Sequence, residues 1–231
     1  MTRSSHASPP STERELLARA KDLAGMTLGE LATSFGKVAP IDLRRAKGFS
    51  GQLLEAALGA TASSRPAPDF ESLAVELKTI PVRADGTPCE STFVCTIDIS
   101  RIGDVEWESS LVRKKLARVL FIPVEGDRRL LVEQRRIGSP LLWSPSADDE
   151  ASLKFDWEEL AGIIGRGDVE AVTGHLGRFL QVRPKAADSH ARRRGVDGDG
   201  VPFATLPRGF YLRATFTARL IAAHFGKGAR I

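Results

Sequence analysis

The 231-residue chain is 42% hydrophobic and 27% charged, a balance that suits one sizeable globular domain or two small lobes. Its longest uninterrupted apolar stretch, Val119 to Val124, is far too short to span a bilayer, and the N-terminal MTRSSHASPPSTERE carries no hydrophobic signal region; a cytoplasmic protein with no membrane partner is expected. Cys89 and Cys95 are too few for a disulfide scaffold or a four-cysteine zinc site, and the scattered His6, His175, His190 and His224 support neither a histidine metal centre nor a Ser-His-Asp constellation.

A net charge of +4 permits a polyanionic partner without requiring one. The clustering says more: Arg183, Lys185, Arg192, Arg193 and Arg194 fall within twelve residues, with Arg208 and Arg213 following. Such a run is either a solvated charged loop or a surface that tracks phosphates.

In chain order, residues 1–11 read as a flexible tail. Thr12 and Glu15 then have capping-box spacing before an apolar stripe of Leu16, Leu17, Ala20, Leu23 and Ala24. Thr27 and Glu30 repeat the cap, and Gly36 supplies the stop. A third helix is predicted over 50–58, with Glu55 off its apolar stripe. The period then falls to two, giving strands around Val75–Lys78 and Phe93–Ile99. The Asp85-Gly86 turn signal between them predicts an antiparallel hairpin. A short helix at 110–117, strands at 118–124 and 129–134, a long helix at 148–164, strands near 179–183 and 210–213, and a last helix at 216–225 follow. A polar loop rich in glycine and aspartate at 195–200 is the one plausible mobile insertion. Trp107, Trp143 and Trp157 are expected to be packing residues, and both cysteines buried thiols. The fold class is α/β or α+β, with a mixed sheet flanked by helices.

Asp69, Glu76 and Lys78 carry the chemistry. Residues two apart on a strand share a face, so Glu76 and Lys78 project together while Val75 and Leu77 hold the opposite face in the core. Two carboxylates can hold a Mg²⁺ ion, and a neighbouring ammonium can orient a water and offset phosphate charge, which is the equipment for phosphodiester hydrolysis. An acid two residues before a lysine arises by chance about once in a chain this rich in acids, so a salt-bridged surface strand is the competing interpretation.

Longer segments discriminate. KGFSGQLLE (47–55), DFESLAVELKTIPV (69–82), TFVC (92–95), RVLFIPVEG (118–126), GSPLLWSP (138–145), QVRPKA (181–186) and TLPRGFYL (205–212) resemble, in that order, the MutH family of mismatch-repair endonucleases. The resemblance spans nearly the whole chain. It implies a restriction-endonuclease-like fold of the PD-(D/E)xK group, with a catalytic lobe at about 12–105 and a DNA-recognition lobe at about 106–231 around a DNA cleft.

Carried over by residue, the resemblance makes Asp69 and Glu76 the metal ligands, Lys78 the catalytic lysine, Glu55 a supporting acid and Lys115 a further active-site lysine. It makes Arg183, Pro184 and Lys185 a loop that enters the major groove, where Arg suits guanine. Tyr211, the only tyrosine, matches the residue that senses adenine methylation; without the resemblance it reads as a packing residue at a strand edge. The cofactor implied is Mg²⁺, with Mn²⁺ as a substitute. The partners implied are double-stranded DNA with GATC sites and MutL, acting downstream of MutS. The expected reaction is nicking of the unmethylated strand 5′ to the G of a hemimethylated GATC.

Two rivals stand beside that reading. A GATC-specific restriction enzyme joins two related halves, whereas one copy of every motif here points to a monomer that nicks. A catalytically silent DNA-binding module would not need Asp69, Glu76 and Lys78 together. The stretch 188–204 departs most from the family pattern.

Overall fold

The computed structural model describes residues 7–43, 46, 48–63, 65–185, 193–196 and 202–226, with the backbone alone at 193–196 and 202–203. Among the described residues, six α-helices and eight strands make a mixed α/β fold, as expected for a restriction-endonuclease-like chain. They divide into two compact units: Met1–Glu90 with Ala117–Ser144 and Ala218–Ile231, and Ser91–Leu116 with Pro145–Thr217. The sequence boundary at 105/106 therefore differs from the division by contacts, because the strand at 92–96 pairs far along the chain.

The first unit opens with α1 (Glu13–Asp22), capped by Thr12, whose hydroxyl accepts the Glu15 N–H. Glu15 does not complete a reciprocal box. Its carboxylate instead accepts the N–H and hydroxyl of Ser11, which with Arg19 hold it down at about 2. Residues 7–11 are not a loose tail: Pro10 is buried and the Ala7 N–H donates to Ala56 O at 2.9 Å. In α2 (Leu28–Ser34) the Thr27/Glu30 capping box is complete. α3 (Phe49–Leu58) ends at Gly59, whose φ of +80° suits a residue without Cβ; a Cβ there would lie 2.3 Å from Ser8 O.

β1 (Glu76–Val82) pairs in parallel with β3 (Val119–Glu125), and β4 (Leu141–Trp143) joins β3 antiparallel. β3 is central and buried almost throughout, which is why its sequence VLFIPVE lacks alternation. Leu16, Leu28, Leu31, Leu53, Leu54, Phe70, Val75, Leu77, Leu120 and Ile122 form the core over this sheet.

Two strand expectations fail here. The Asp85-Gly86 turn exists, with Arg83 and Thr87 bonded across it, but β1 pairs with β3 and not with the next strand in sequence. The strand expected at 129–134 is a loop with a 3₁₀ turn at Val132–Gln134. The chain returns to the end of β3 only at 136–138, where the Glu125 N–H donates to Arg136 O.

The first turn of α1 is tied to this sheet by Glu13, which accepts from Arg118 Nε at 3.0 Å and Nη2 at 2.6 Å. The hydrogen bond from Arg118 chiefly, and its charge, hold the Glu13 carboxyl below its ordinary value of 4.5. A depressed folded value contributes stability that is present above the unfolded pKa and lost as pH falls through the folded one. Both groups are partly exposed, so solvent screening limits the pair to under about 1 kcal/mol. Glu13→Gln should therefore melt slightly lower than the parent at pH 7, and the gap should close as pH falls below 4.5 and through the lowered folded value; a pH-independent gap would deny the ion pair this role.

In the second unit β2 (Thr92–Thr96), β8 (Arg208–Leu212) and β5 (Leu180–Pro184) form an antiparallel sheet in the order β2-β8-β5. α4 (Leu111–Leu116) and the long α5 (Ala147–Gly165) accompany it. Leu153, Trp157, Leu160, Ala161 and Ile164 line the buried face of α5 as their spacing predicts. Trp107 and Trp157 pack with ring centres 6.0 Å apart. A hairpin of β6 (Arg193–Val196) and β7 (Pro202–Thr205) occupies part of the expected loop; 186–192 and 197–201 lie outside the described residues. α6 (Ala214–Phe225) begins in this unit and, from Ala218 on, belongs to the first. Cys95 is buried, but Cys89 only partly so. Among the described residues, no helix is long and apolar enough to cross a membrane.

Candidate functional site

The six-residue gap between Asp69 and Glu76 closes into a tight loop. Phe70, 2% exposed, anchors it in the core, and Phe70 and Val75 exchange backbone hydrogen bonds across a one-turn 3₁₀ helix at Glu71–Leu73. Ala74 completes the reversal in the left-handed region, at φ +52°, an uncommon conformation for alanine. The loop turns Asp69 back over β1, where its Oδ2 accepts the Leu77 N–H at 2.8 Å. The Asp69 carbonyl accepts the N–H groups of Thr61 and Ala62, which ties the segment after α3 to the same point.

Glu76 and Lys78 leave β1 on one face, as period two requires, while Val75 and Leu77 join the core. They form an ion pair, Lys78 Nζ to Glu76 Oε1. Glu76 is only 1% exposed, so this is not a surface salt bridge. A buried carboxylate is tolerated because an ammonium meets it. The Glu76 N–H donates to Arg118 O, on the residue that grips Glu13.

Glu55 lies on α3 beside β1: a Cβ on Gly51 would be 3.9 Å from both Glu55 Oε1 and Thr79 Oγ1. Among the described residues no group of three or more Asp, Glu, His or Cys side chains is gathered to hold a metal ion. Asp69 and Glu76 nevertheless have the donor chemistry of a hard divalent cation's ligands: one carboxylate is held by the Leu77 N–H, and a positive charge already faces the other, buried one.

Lys115 belongs to the second unit. It sits on α4, whose first turn is fixed by Ser110 Oγ accepting the Arg113 N–H and by Arg113 Nε donating to Glu150 Oε1 at 2.7 Å. The same Glu150 oxygen accepts Trp107 Nε1–H at 3.0 Å.

The residues expected to read DNA gather on the β2-β8-β5 sheet. Gln181 and Phe93 flank Tyr211 in register, and Arg183 is opposite Gly209, so Arg183 and Tyr211 share a face. Phe93 joins them: its ring meets Tyr211 edge-on at 5.2 Å, and the Lys185 ammonium stands 3.2 Å from its centroid. Gly209 makes room, because a Cβ there would be 2.8 Å from Phe93 Cε2. Arg183 donates to Ser91 Oγ at 2.9 Å, and Pro184 is exposed.

The basic cluster does not survive as one surface. Arg208 is 5% exposed and paired with Glu170 at 2.7 Å, and Arg213 spends its guanidinium on backbone carbonyls, so neither tracks phosphates. The side chains of Arg192, Arg193 and Arg194 lie outside the described residues. Two contributors escape a sequence reading. Phe93 passes as one apolar residue of a strand. Asp156 carries a faint signal, an acid three residues after Leu153 on the apolar face of α5, where only a satisfied carboxylate belongs.

An acid and a lysine projecting from one face of a strand in a mixed α/β fold, with a second acid held to the same strand, are the arrangement expected of the restriction-endonuclease-like class. Residues 58–156 match the family described as DNA mismatch repair enzyme MutH. The chain is 52% identical over 217 residues to the DNA mismatch repair protein MutH of Yersinia pestis (strain Pestoides F), covering 94% of this chain and 95% of that protein. The same figures hold for the MutH of Yersinia enterocolitica serotype O:8. The chain belongs to the MutH family of DNA mismatch repair enzymes.

Proposed function

We propose that this MutH-family endonuclease nicks the unmethylated strand 5′ to the G of hemimethylated GATC sites, with Mg²⁺ as its metal and Mn²⁺ as a substitute. The observation that carries the reading is the Glu76–Lys78 pair on one face of β1, with Asp69 folded back from the preceding loop to accept the Leu77 N–H. Nucleases of the family use a divalent metal ion. Asp69 and Glu76 would hold it, and when bound it supplies charge stabilisation to the phosphate and lowers the pKa of water. Lys78 would then orient the attacking water and hold positive charge against the scissile phosphate. Glu55 supports the acids from α3, and Lys115 on α4 adds a second positive charge for the phosphate.

We assign chemistry to the first unit and sequence reading to the second, apart from Lys115. There Arg183, Pro184 and Lys185 present donors and an apolar edge to the major groove, and Tyr211 tests the adenine amine. A monomer activated by MutL, itself acting after MutS, in the cytoplasm, completes the reading. One copy of the Asp69–Glu76–Lys78 motif supports single-strand nicking over double-strand restriction.

The test is incubation of the purified chain with Mg²⁺ and unmethylated, hemimethylated and fully methylated GATC duplexes, resolved by strand. Nicks confined to the unmethylated strand are expected. Cutting without sequence preference would sink the assignment, and paired cuts in one binding event would favour a restriction enzyme. Tyr211→Ser, run alongside, should change the ratio of cutting on unmethylated to methylated strands more than it changes metal dependence. If Tyr211 only packs against Phe93, the variant should instead lose thermal stability and activity on every duplex in proportion.

A further inference from the structure

The segment leading into β5 has no regular structure of its own, yet it is held from two sides. Asp156, 2% exposed within α5, accepts the N–H groups of Arg178 at 2.8 Å, Phe179 at 2.6 Å and Leu180 at 2.8 Å. The Arg213 guanidinium donates to the carbonyls of Gly174, Leu176 and Gly177, each at 2.8 Å. The Arg213 N–H adds a bond to Phe179 O, and Phe179 stacks on Phe216 with ring centres 4.4 Å apart. At Gly177, φ is +78° and a Cβ would stand 1.9 Å from Leu180 O, so only glycine closes the turn.

A buried anion thus takes the amides of the segment and a cation takes its carbonyls. The cation lies two residues beyond Tyr211, immediately after the end of β8, the strand that β5 joins. The turn runs straight into the pairs Leu180–Leu212, Gln181–Tyr211 and Arg183–Gly209. In such a pair a slip of one residue would carry Arg183 to the opposite face of the sheet. β5 is only five residues long, and its buried residues, Leu180, Gln181 and Val182, lie at the clamped end, whereas Arg183 and Pro184 are exposed and carry no burial to fix them.

We propose that Asp156 and Arg213 are positioning residues for DNA reading. By clamping residues 174–180 they set the register that puts Arg183 on the face of Tyr211 and brings Lys185 over Phe93. The inference rests on the recognition role given above to Arg183, Lys185 and Tyr211. Neither clamp residue takes part in the chemistry assigned to Asp69, Glu76 and Lys78.

The test uses the full chain carrying Arg213→Gln, with Arg213→Lys as a milder variant if the first does not fold. Initial nicking rates are measured well below each melting midpoint on a hemimethylated GATC duplex, on its unmethylated counterpart, and on a duplex with one GATC base changed. Amide hydrogen exchange at 178–180 is followed in parallel. Preference for GATC over the altered site should fall by about tenfold, the scale of one well-placed base contact, and the exchange of these amides should quicken. Arg213→Lys, which keeps a charged donor, should recover part of the preference. Equal slowing on all three duplexes would overturn the proposal, since a purely structural loss lowers every rate alike. Arg183→Ala separates the two layers. If it changes the preference while Arg213→Gln does not, the clamp fails and the recognition reading stands; if both slow all duplexes equally, the recognition reading fails with it.

Discussion

Glu76→Gln is expected to slow nicking of a hemimethylated GATC duplex by about a thousandfold or more, because losing a metal-ligating carboxylate forfeits several kcal/mol of charge stabilisation in the transition state. The glutamine keeps the shape of a side chain that is only 1% exposed, so the protein should still fold and bind DNA. Glu76→Ala is a harsher change than a surface acid would suggest. It removes the carboxylate that meets the ammonium of Lys78, whose side chain is 12% exposed, and breaking a buried pair from one side costs about 3–5 kcal/mol. A double variant, Glu76→Leu with Lys78→Met, should recover much of that stability while remaining inactive. Denaturant midpoints and strand-resolved nicking at limiting Mg²⁺ check both halves. Near-parental nicking by Glu76→Gln would show that the catalytic centre lies elsewhere.

That buried pair marks where the sequence could be read and where it could not. Period two placed Glu76 and Lys78 on one face correctly, but alternation cannot tell a solvated face from one covered by the rest of the unit, so the burial of Glu76 was not legible. α1, α2, α3 and α5 were legible because their signals are local: Thr12 and Thr27 cap the first two, and a stripe of helical period marks all four. Strand partners are not local. The Asp85-Gly86 turn formed as its residues dictate, yet β1 took β3 as its neighbour, leaving β2 to β8. Arg208 and Arg213 were misjudged for a related reason. Composition counts charges, whereas Glu170 and the carbonyls of 174–177 decide which charges face solvent.

Asp156→Ala should be among the most destabilising single changes outside the apolar core, by about 3–5 kcal/mol. It removes one acceptor that serves three backbone N–H groups, those of Arg178, Phe179 and Leu180. An alanine cannot replace the acceptor, and water has little access to a position 2% exposed. Asp156→Asn keeps one acceptor oxygen but turns an amide toward donors, so it should recover only part of the loss. Urea unfolding at constant slope is the measurement. A loss below about 1 kcal/mol, the ordinary effect of a point change, would mean that the segment before β5 holds without its carboxylate.

The division into units has a consequence for how the chain acquires its structure. The first unit is assembled from three stretches and the second from two, so the polypeptide passes from one to the other four times. No single proteolytic cut can release either unit whole. During synthesis the last stretch of the first unit, from Ala218 on, emerges only after both stretches of the second. Within that unit β1 pairs with β3 across an intervening stretch that belongs largely to the second unit. Contacts this distant in sequence slow folding and lengthen the exposure of unpaired strands, which makes the nascent chain, more than the finished enzyme, the state exposed to aggregation.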